Sequence, residues 1–125
     1  VGRAINQLLV EGQIEGGFVQ GMGMALVEEM VWDGARLANP TLMDYKVPTT
    51  RETPYELHPI IVESHDTDGP FGAKGVGEVG LSPVPAAVAN VVNDALRLLG
   101  AEVAVQPMTP EVVLSAIEQV SQTPR

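Results

Sequence analysis

An α+β fold is what the sequence predicts: helices packed on a small mixed or antiparallel sheet. Three observations point there. Apolar residues recur at helical spacing in three separated stretches. An Asp33-Gly34 pair stands between two short apolar runs, which is a hairpin signal. Two further β-rich runs lie apart from one another and do not alternate regularly with helices, as βαβ units would require. At 125 residues the chain has the length of one domain, expected over residues 1–120, with residues 121–125 as a frayed tail.

The first helix is expected over residues 12–30, with Ile14, Phe18, Met22, Ala25, Leu26 and Met30 on its core face. Gln13, Gly16, Gly17, Gln20 and Met24 fall on a small, polar opposite face. Each of Gly16, Gly17, Gly21 and Gly23 within it costs roughly 1 kcal/mol against alanine, so close approach of a backbone or a ligand must compensate. Met30-Val31-Trp32 and Ala35-Arg36-Leu37 flank the hairpin turn. Residues 38–58, with three prolines, read as an extended loop that needs something to pack on. Residues 59–64 read as a strand and residues 66–81 as an irregular glycine-rich stretch. Ser82 and Pro83 start a helix whose stripe is Val84, Val88, Val91, Val92, Ala95 and Leu99, and Gly100 ends it. Val103-Ala104-Val105 suits a short strand. Thr109 and Pro110 then cap a last helix with Val113, Leu114, Ile117 and Val120 inward.

Composition excludes several classes of function. Seven Lys and Arg against sixteen Asp and Glu give a formal charge of -9, too acidic for a phosphate-binding surface, so no nucleic-acid partner is expected. Zero cysteines exclude a disulfide framework, a Cys-ligated zinc site and an iron–sulfur cluster held by this chain alone. No apolar run reaches the roughly 20 residues of a membrane span, and a cytoplasmic location is expected. The abrupt start at Val1 suggests a fragment or processed subunit.

Gly75-Val-Gly77-Glu-Val-Gly80 matches the dinucleotide pattern G-x-G-x-x-G, but nine residues separate it from the strand expected before it and Pro83 and Pro85 follow. The same glycines offer another role. They let main chain turn sharply and approach a ligand, with one carboxylate, Glu78, presented as a candidate general base and Lys74 the nearest cation in sequence. Gln13 and Gln20 are candidate hydrogen-bond donors to a polar ligand. His58 and His65 form no cluster at metal-ligand spacing, so no protein-ligated metal is expected. Ser64-His65-Asp66 is contiguous, and neighbours in an extended chain cannot converge as a hydrolytic triad.

Two stretches together resemble a known family. Glu11-Gly-Gln13-Ile-Glu-Gly16-Gly17-Phe-Val-Gln20-Gly21-Met-Gly23 resembles the G-Q-x-x-G-G-x-x-Q-G-x-G segment of the molybdenum hydroxylases, the family of xanthine dehydrogenase and aldehyde oxidase. Gly72-Ala-Lys74-Gly75-Val76-Gly77-Glu78 resembles its K-G-x-G-E segment. Asp44-Tyr45-Lys46-Val47-Pro48-Thr49 is similar to its D-Y-K-x-P-T stretch, and Gly2-Arg3-Ala4-Ile5-Asn6 to its G-R-x-x-N-P, with Gln7 in place of the proline. The likeness is to the C-terminal part of the molybdopterin-binding subunit.

The resemblance implies a molybdenum-dependent hydroxylase that oxidises an electron-poor carbon of a heterocycle or aldehyde with water-derived oxygen. Glu78 would be its general base, and Gln13 with the main chain of Lys74, Gly75, Val76 and Gly77 would line the cofactor. The cofactor implied is molybdopterin, as mononucleotide or dinucleotide, carrying molybdenum that the protein does not ligate. Iron–sulfur clusters, and in some arrangements FAD, would sit on partner domains or subunits, together with the remainder of the molybdopterin-binding subunit. The isolated chain is expected to be inactive. The alternative is a non-catalytic fragment or structural domain that binds no cofactor alone.

Overall fold

A computed structural model describes residues 1–122, and three helices carry the architecture: α1 (Gln7–Leu26), α2 (Val84–Leu96) and α3 (Pro110–Gln122). The only sheet among the described residues is an antiparallel hairpin of β1 (Trp32–Asp33) and β2 (Arg36–Leu37), so the α+β reading holds with the sheet reduced to its smallest form. Trp32 pairs with Leu37 and Asp33 with Arg36, which makes the loop Gly34-Ala35, one residue later than the sequence signal. Gly34, at φ 59°, supplies the left-handed backbone the turn requires.

Helix α1 begins and ends earlier than expected. The side chain of Asn6 accepts a hydrogen bond from the Leu9 amide at 3.1 Å and caps the first turn, a signal that the glycine-centred reading passed over. Its buried residues are Val10, Gly17, Gly21, Gly23 and Ala25. The packing face is thus rotated from the large apolar residues toward the glycines. A Cβ on Gly17 would lie 3.0 Å from Gly80 C and Leu81 N, and one on Gly21 would meet the Val84 side chain. The segment leading into α2 lies directly on the backbone of α1, and bulk there would hold the two apart. The long loop rests on the other end of the helix, where Pro48 covers Gly23 and the Tyr45 hydroxyl donates to Glu28 Oε2 at 2.8 Å.

The two expected strands outside the hairpin do not form. In residues 59–64, Ile60 and Val62 are exposed, and the ties are a Val1 amine to Val62 carbonyl bond and a Glu63 side chain accepting from the Ala4 amide. Pro59 has no N–H to give a ladder, and no neighbouring edge is offered. Val103 has a different substitute for a strand partner. Asn93 of α2 donates to its carbonyl at 3.0 Å and accepts from its amide at 2.8 Å. One side-chain amide does the work of a ladder pair. Asn93→Ala strands both main-chain groups of a residue only 4% exposed. A loss of about 2 kcal/mol in chemical denaturation is expected, and Asn93→Asp, which keeps the acceptor but sets a carboxylate oxygen against the Val103 carbonyl, should lose no less.

Leu96, Ala101, Val103 and Met108 form the compact core, with Leu26, Val92, Val113 and Ile117 packed around them. The Met108 amide donates to the Ala25 carbonyl at 2.7 Å, satisfying an end of α1 that would otherwise be orphaned. In α2 the inward line is Val84, Val88, Val92 and Leu96; Val91 and Ala95 face outward, as does Leu99 in the 3-10 turn that follows the helix. Ser82 does not cap the helix; its hydroxyl donates to the Glu78 carbonyl at 3.1 Å and closes the preceding turn. In α3, Val112 and Ala116 join Val113 and Ile117 inward, while Leu114 and Val120 are exposed. Ser121 and Gln122 continue α3; the rest of the expected tail, residues 123–125, lies outside the described residues. No described helix is long and apolar enough to cross a membrane.

Candidate functional site

Glycines in this chain divide into two groups. Gly17, Gly21, Gly23 and Gly80 are filled against neighbouring atoms, whereas Gly12, Gly16, Gly34, Gly75 and Gly77 have nothing among the described residues within 4 Å of where a Cβ would stand. The first group is explained by packing. In the second, Gly34 serves the hairpin turn, and the other four lie on the two segments that sequence alone singles out.

The segment around Lys74 is anchored at both ends and bare between. Before it, Gly2 abuts Gly72, Ala73 and Lys74, and the Arg3 amide donates to the Gly72 carbonyl at 2.7 Å. A tight turn leads in, with Ala73 donating to Pro70 at 3.0 Å and Phe71 held at φ 56°. After it, the Glu78 carbonyl accepts from the Leu81 amide at 3.0 Å and the Ser82 amide at 3.1 Å. Gly80 then seats on α1, where a Cβ would come within 2.9 Å of Ile14 Cα and O. Between these anchors, Gly75, Val76 and Gly77 make no main-chain hydrogen bond within the described residues. No strand precedes this stretch and no helix opens within it, so the dinucleotide-binding geometry is absent.

Glu78 is exposed, and its carboxylate has no hydrogen-bond or ionic partner among the described residues. It lies two residues before the Gly80 contact with α1. Gln13 and Gln20 are also exposed, with side chains free of partners. At 100° per residue they fall about 40° and 60° round from Gly17 on one flank, beside the seam that Gly80 occupies. Gly16 lies further round that flank. The fold therefore seats Gly80, two residues beyond the 74–78 loop, against Ile14 and Gly17 on α1.

Lys74 does not serve Glu78. Its ammonium lies 3.4 Å from Asp66 Oδ2 and donates to Ser64 Oγ at 3.2 Å. Sequence reasoning met Asp66 only within Ser64-His65-Asp66; the cation eight residues on was the available signal. The Asp68 amide, assisted by Lys74, holds the Asp66 carboxyl below the ordinary carboxylate range against the opposing effect of partial burial. Its stabilising contribution is present above the ordinary carboxylate pKa and is lost as pH falls through the depressed value. Among the described residues no three His, Asp or Glu side chains converge as a metal site.

Among the described residues, then, the main chain of Gly75 to Gly77 is open, and the side chains of Gln13, Gln20 and Glu78 are exposed and without partners. Residues 1–54 match the model of the molybdopterin cofactor-binding domain. The chain belongs to the molybdenum hydroxylase family. It is 44% identical over 121 residues to the nicotine 6-hydroxylase large subunit of Paenarthrobacter nicotinovorans, covering 95% of this chain and 15% of that protein. It is 39% identical over 112 residues to the xanthine dehydrogenase molybdenum-binding subunit of Escherichia coli O157:H7, covering 88% of this chain and 14% of the relative. Quinoline 2-oxidoreductase from Pseudomonas putida 86 superposes with a TM-score of 0.88 at 40% identity, covering 94% of this chain and 15% of that one. The chain thus spans about 15% of the length of these relatives.

Proposed function

We propose that this chain is one part of a molybdopterin-dependent hydroxylase. The whole enzyme would oxidise an electron-poor carbon of a heterocycle or aldehyde with oxygen from water. The carrying observation is the bare main chain of Gly75, Val76 and Gly77, without internal hydrogen bonds and without a neighbour where side chains would project, next to the free Glu78 carboxylate. A chain normally pairs its amides and carbonyls or leaves them to water. Three consecutive unpaired residues held rigidly at both ends make a cradle for a polar, flat group.

The residues fit molybdopterin. Lys74, Gly75, Val76 and Gly77 would run along it, and Gln13 would donate a side-chain hydrogen bond from the α1 flank. When bound, the molybdenum–pterin group supplies the two-electron acceptor for the oxidation. A Glu78 carboxylate oxygen takes the proton from the water-derived oxygen as that oxygen bonds to the substrate carbon. Nicotine and quinoline, in the names of relatives, are heteroaromatic compounds whose ring carbons next to nitrogen are electron-poor. With no cysteine in the chain, electrons would leave through iron–sulfur, and in some arrangements flavin, groups on partner domains or subunits. The remainder of the molybdopterin-binding subunit completes the site, and the isolated chain is inactive.

Gly77→Val and Gly16→Val in the assembled enzyme test the cradle. Each places bulk where none of the described residues lies within 4 Å, so the fold of this chain should tolerate it. Overfilling a tight contact costs about 1–3 kcal/mol, so bound molybdenum and pterin, measured by metal analysis and pterin fluorescence, should fall roughly tenfold at limiting cofactor. Wild-type cofactor content in both variants would remove the cradle from the cofactor's surroundings.

A further inference from the structure

We propose that Asp66 is a positioning residue for the Glu78 loop, gripping Lys74 so that the main chain of residues 75–77 and the carboxylate beyond it are held in one arrangement. The inference rests on the reading above. Asp66 is well placed for this role because its two carboxylate oxygens do different things. Oδ1 accepts from the Asp68 amide at 2.9 Å, which fixes the carboxylate in its own turn. Oδ2 faces the Lys74 ammonium at 3.4 Å. Ser64 Oγ takes a second Lys74 proton at 3.2 Å, so the ammonium is held from two sides. The side chains of Asp66 and Lys74 are 25% and 44% exposed, which places the pair at the edge of the structure and not free in water.

The geometry gives this pair, together with Ser64, the task of holding the side chain that leads into the bare stretch. The main-chain anchors before the bare stretch, from Gly2 and Arg3, stop at Gly72 to Lys74. The next anchor begins at the Glu78 carbonyl. Lys74 is the last residue before the gap, and its side chain is the last grip on it. An isolated surface ion pair contributes little to stability, so the expected consequence of losing this one is local mobility and not unfolding. Mobility there matters because a displacement of about 1 Å of a reacting group can cost on the order of 100-fold in rate.

The test uses the assembled enzyme with Asp66→Asn, Lys74→Met, their combination, and Asp66→Glu as the conservative variant. Hydrogen–deuterium exchange over residues 72–78 and turnover per bound molybdenum are measured for each. Asp66→Asn and Lys74→Met should each speed exchange in that stretch and lower kcat per molybdenum by roughly tenfold or more, with KM changed far less. The combination should be no worse than Lys74→Met alone, which already removes the ion pair together with the Ser64 contact, and Asp66→Glu should restore much of the loss. Wild-type exchange in Asp66→Asn overturns the proposal, whether or not turnover falls. Glu78→Gln run in parallel separates the two levels: its loss of turnover beside a normal Asp66→Asn sinks this inference alone. Full turnover in Glu78→Gln sinks the underlying reading, and the exchange data still decide whether Asp66 anchors the loop.

Discussion

Glu78→Gln in the assembled enzyme is expected to lower turnover per bound molybdenum by roughly 100- to 10,000-fold, the range a positioned general base contributes. The substitution keeps size and shape and removes only the ability to take a proton. Nothing in the fold depends on that carboxylate. It has no partner among the described residues, and the turn it begins is closed by its main-chain carbonyl, which glutamine retains. Stability should therefore stay within about 0.5 kcal/mol of wild type, and molybdenum and pterin content should be unchanged. Stopped-flow reduction of the enzyme by substrate isolates the step concerned. A fall in cofactor content in proportion to activity would assign Glu78 to binding, and full activity would remove it from the chemistry.

How much of this could be read from the chain alone follows a physical line. In the Lys74–Glu78 stretch, four glycines around one carboxylate are expensive unless something approaches them, and the structure leaves two of those glycines open among the described residues. The hairpin and the second and third helices were legible because apolar spacing and turn residues agreed. The orientation of α1 was not. A reading by hydropathy assigns the interior to Ile14, Phe18 and Met22, yet the contact is made by Gly17 and Gly21, which bury backbone and have no side chain to register. Strand expectations failed for the complementary reason. A strand is a property of two segments, and neither residues 59–64 nor Val103 has a strand edge beside it. Asn93 fills that place for Val103 through a contact ten residues away that no local pattern announces. Outward-facing Val91 and Ala95 on α2, with Leu99 in the turn after it, extend a stripe wider than the described residues cover.

Gly80→Val carries the second large expectation and bears on how the site is assembled. The loop that presents Glu78 reaches α1 only because Gly80 lets backbone meet backbone; any Cβ there would come within 2.9 Å of Ile14 Cα and O. Main-chain atoms of a helix cannot step aside as the tip of a flexible side chain can. The strain must open the seam between α1 and the turn ahead of α2, at an expected cost of about 3 kcal/mol, with Gly80→Ala costing about 2 kcal/mol. Thermal and urea unfolding would measure it. The functional consequence follows from the same displacement, because moving residue 80 away from α1 carries Glu78 away from the flank that bears Gln13. Gly80→Val should thus lose stability and turnover together, while Gly77→Val, three residues earlier with open space around it, should lose cofactor and keep stability. If Gly80→Val folds as firmly as wild type, the seam is not what joins loop to helix. If Gly77→Val is as unstable as Gly80→Val, the division of glycines into packed and open does not describe this chain.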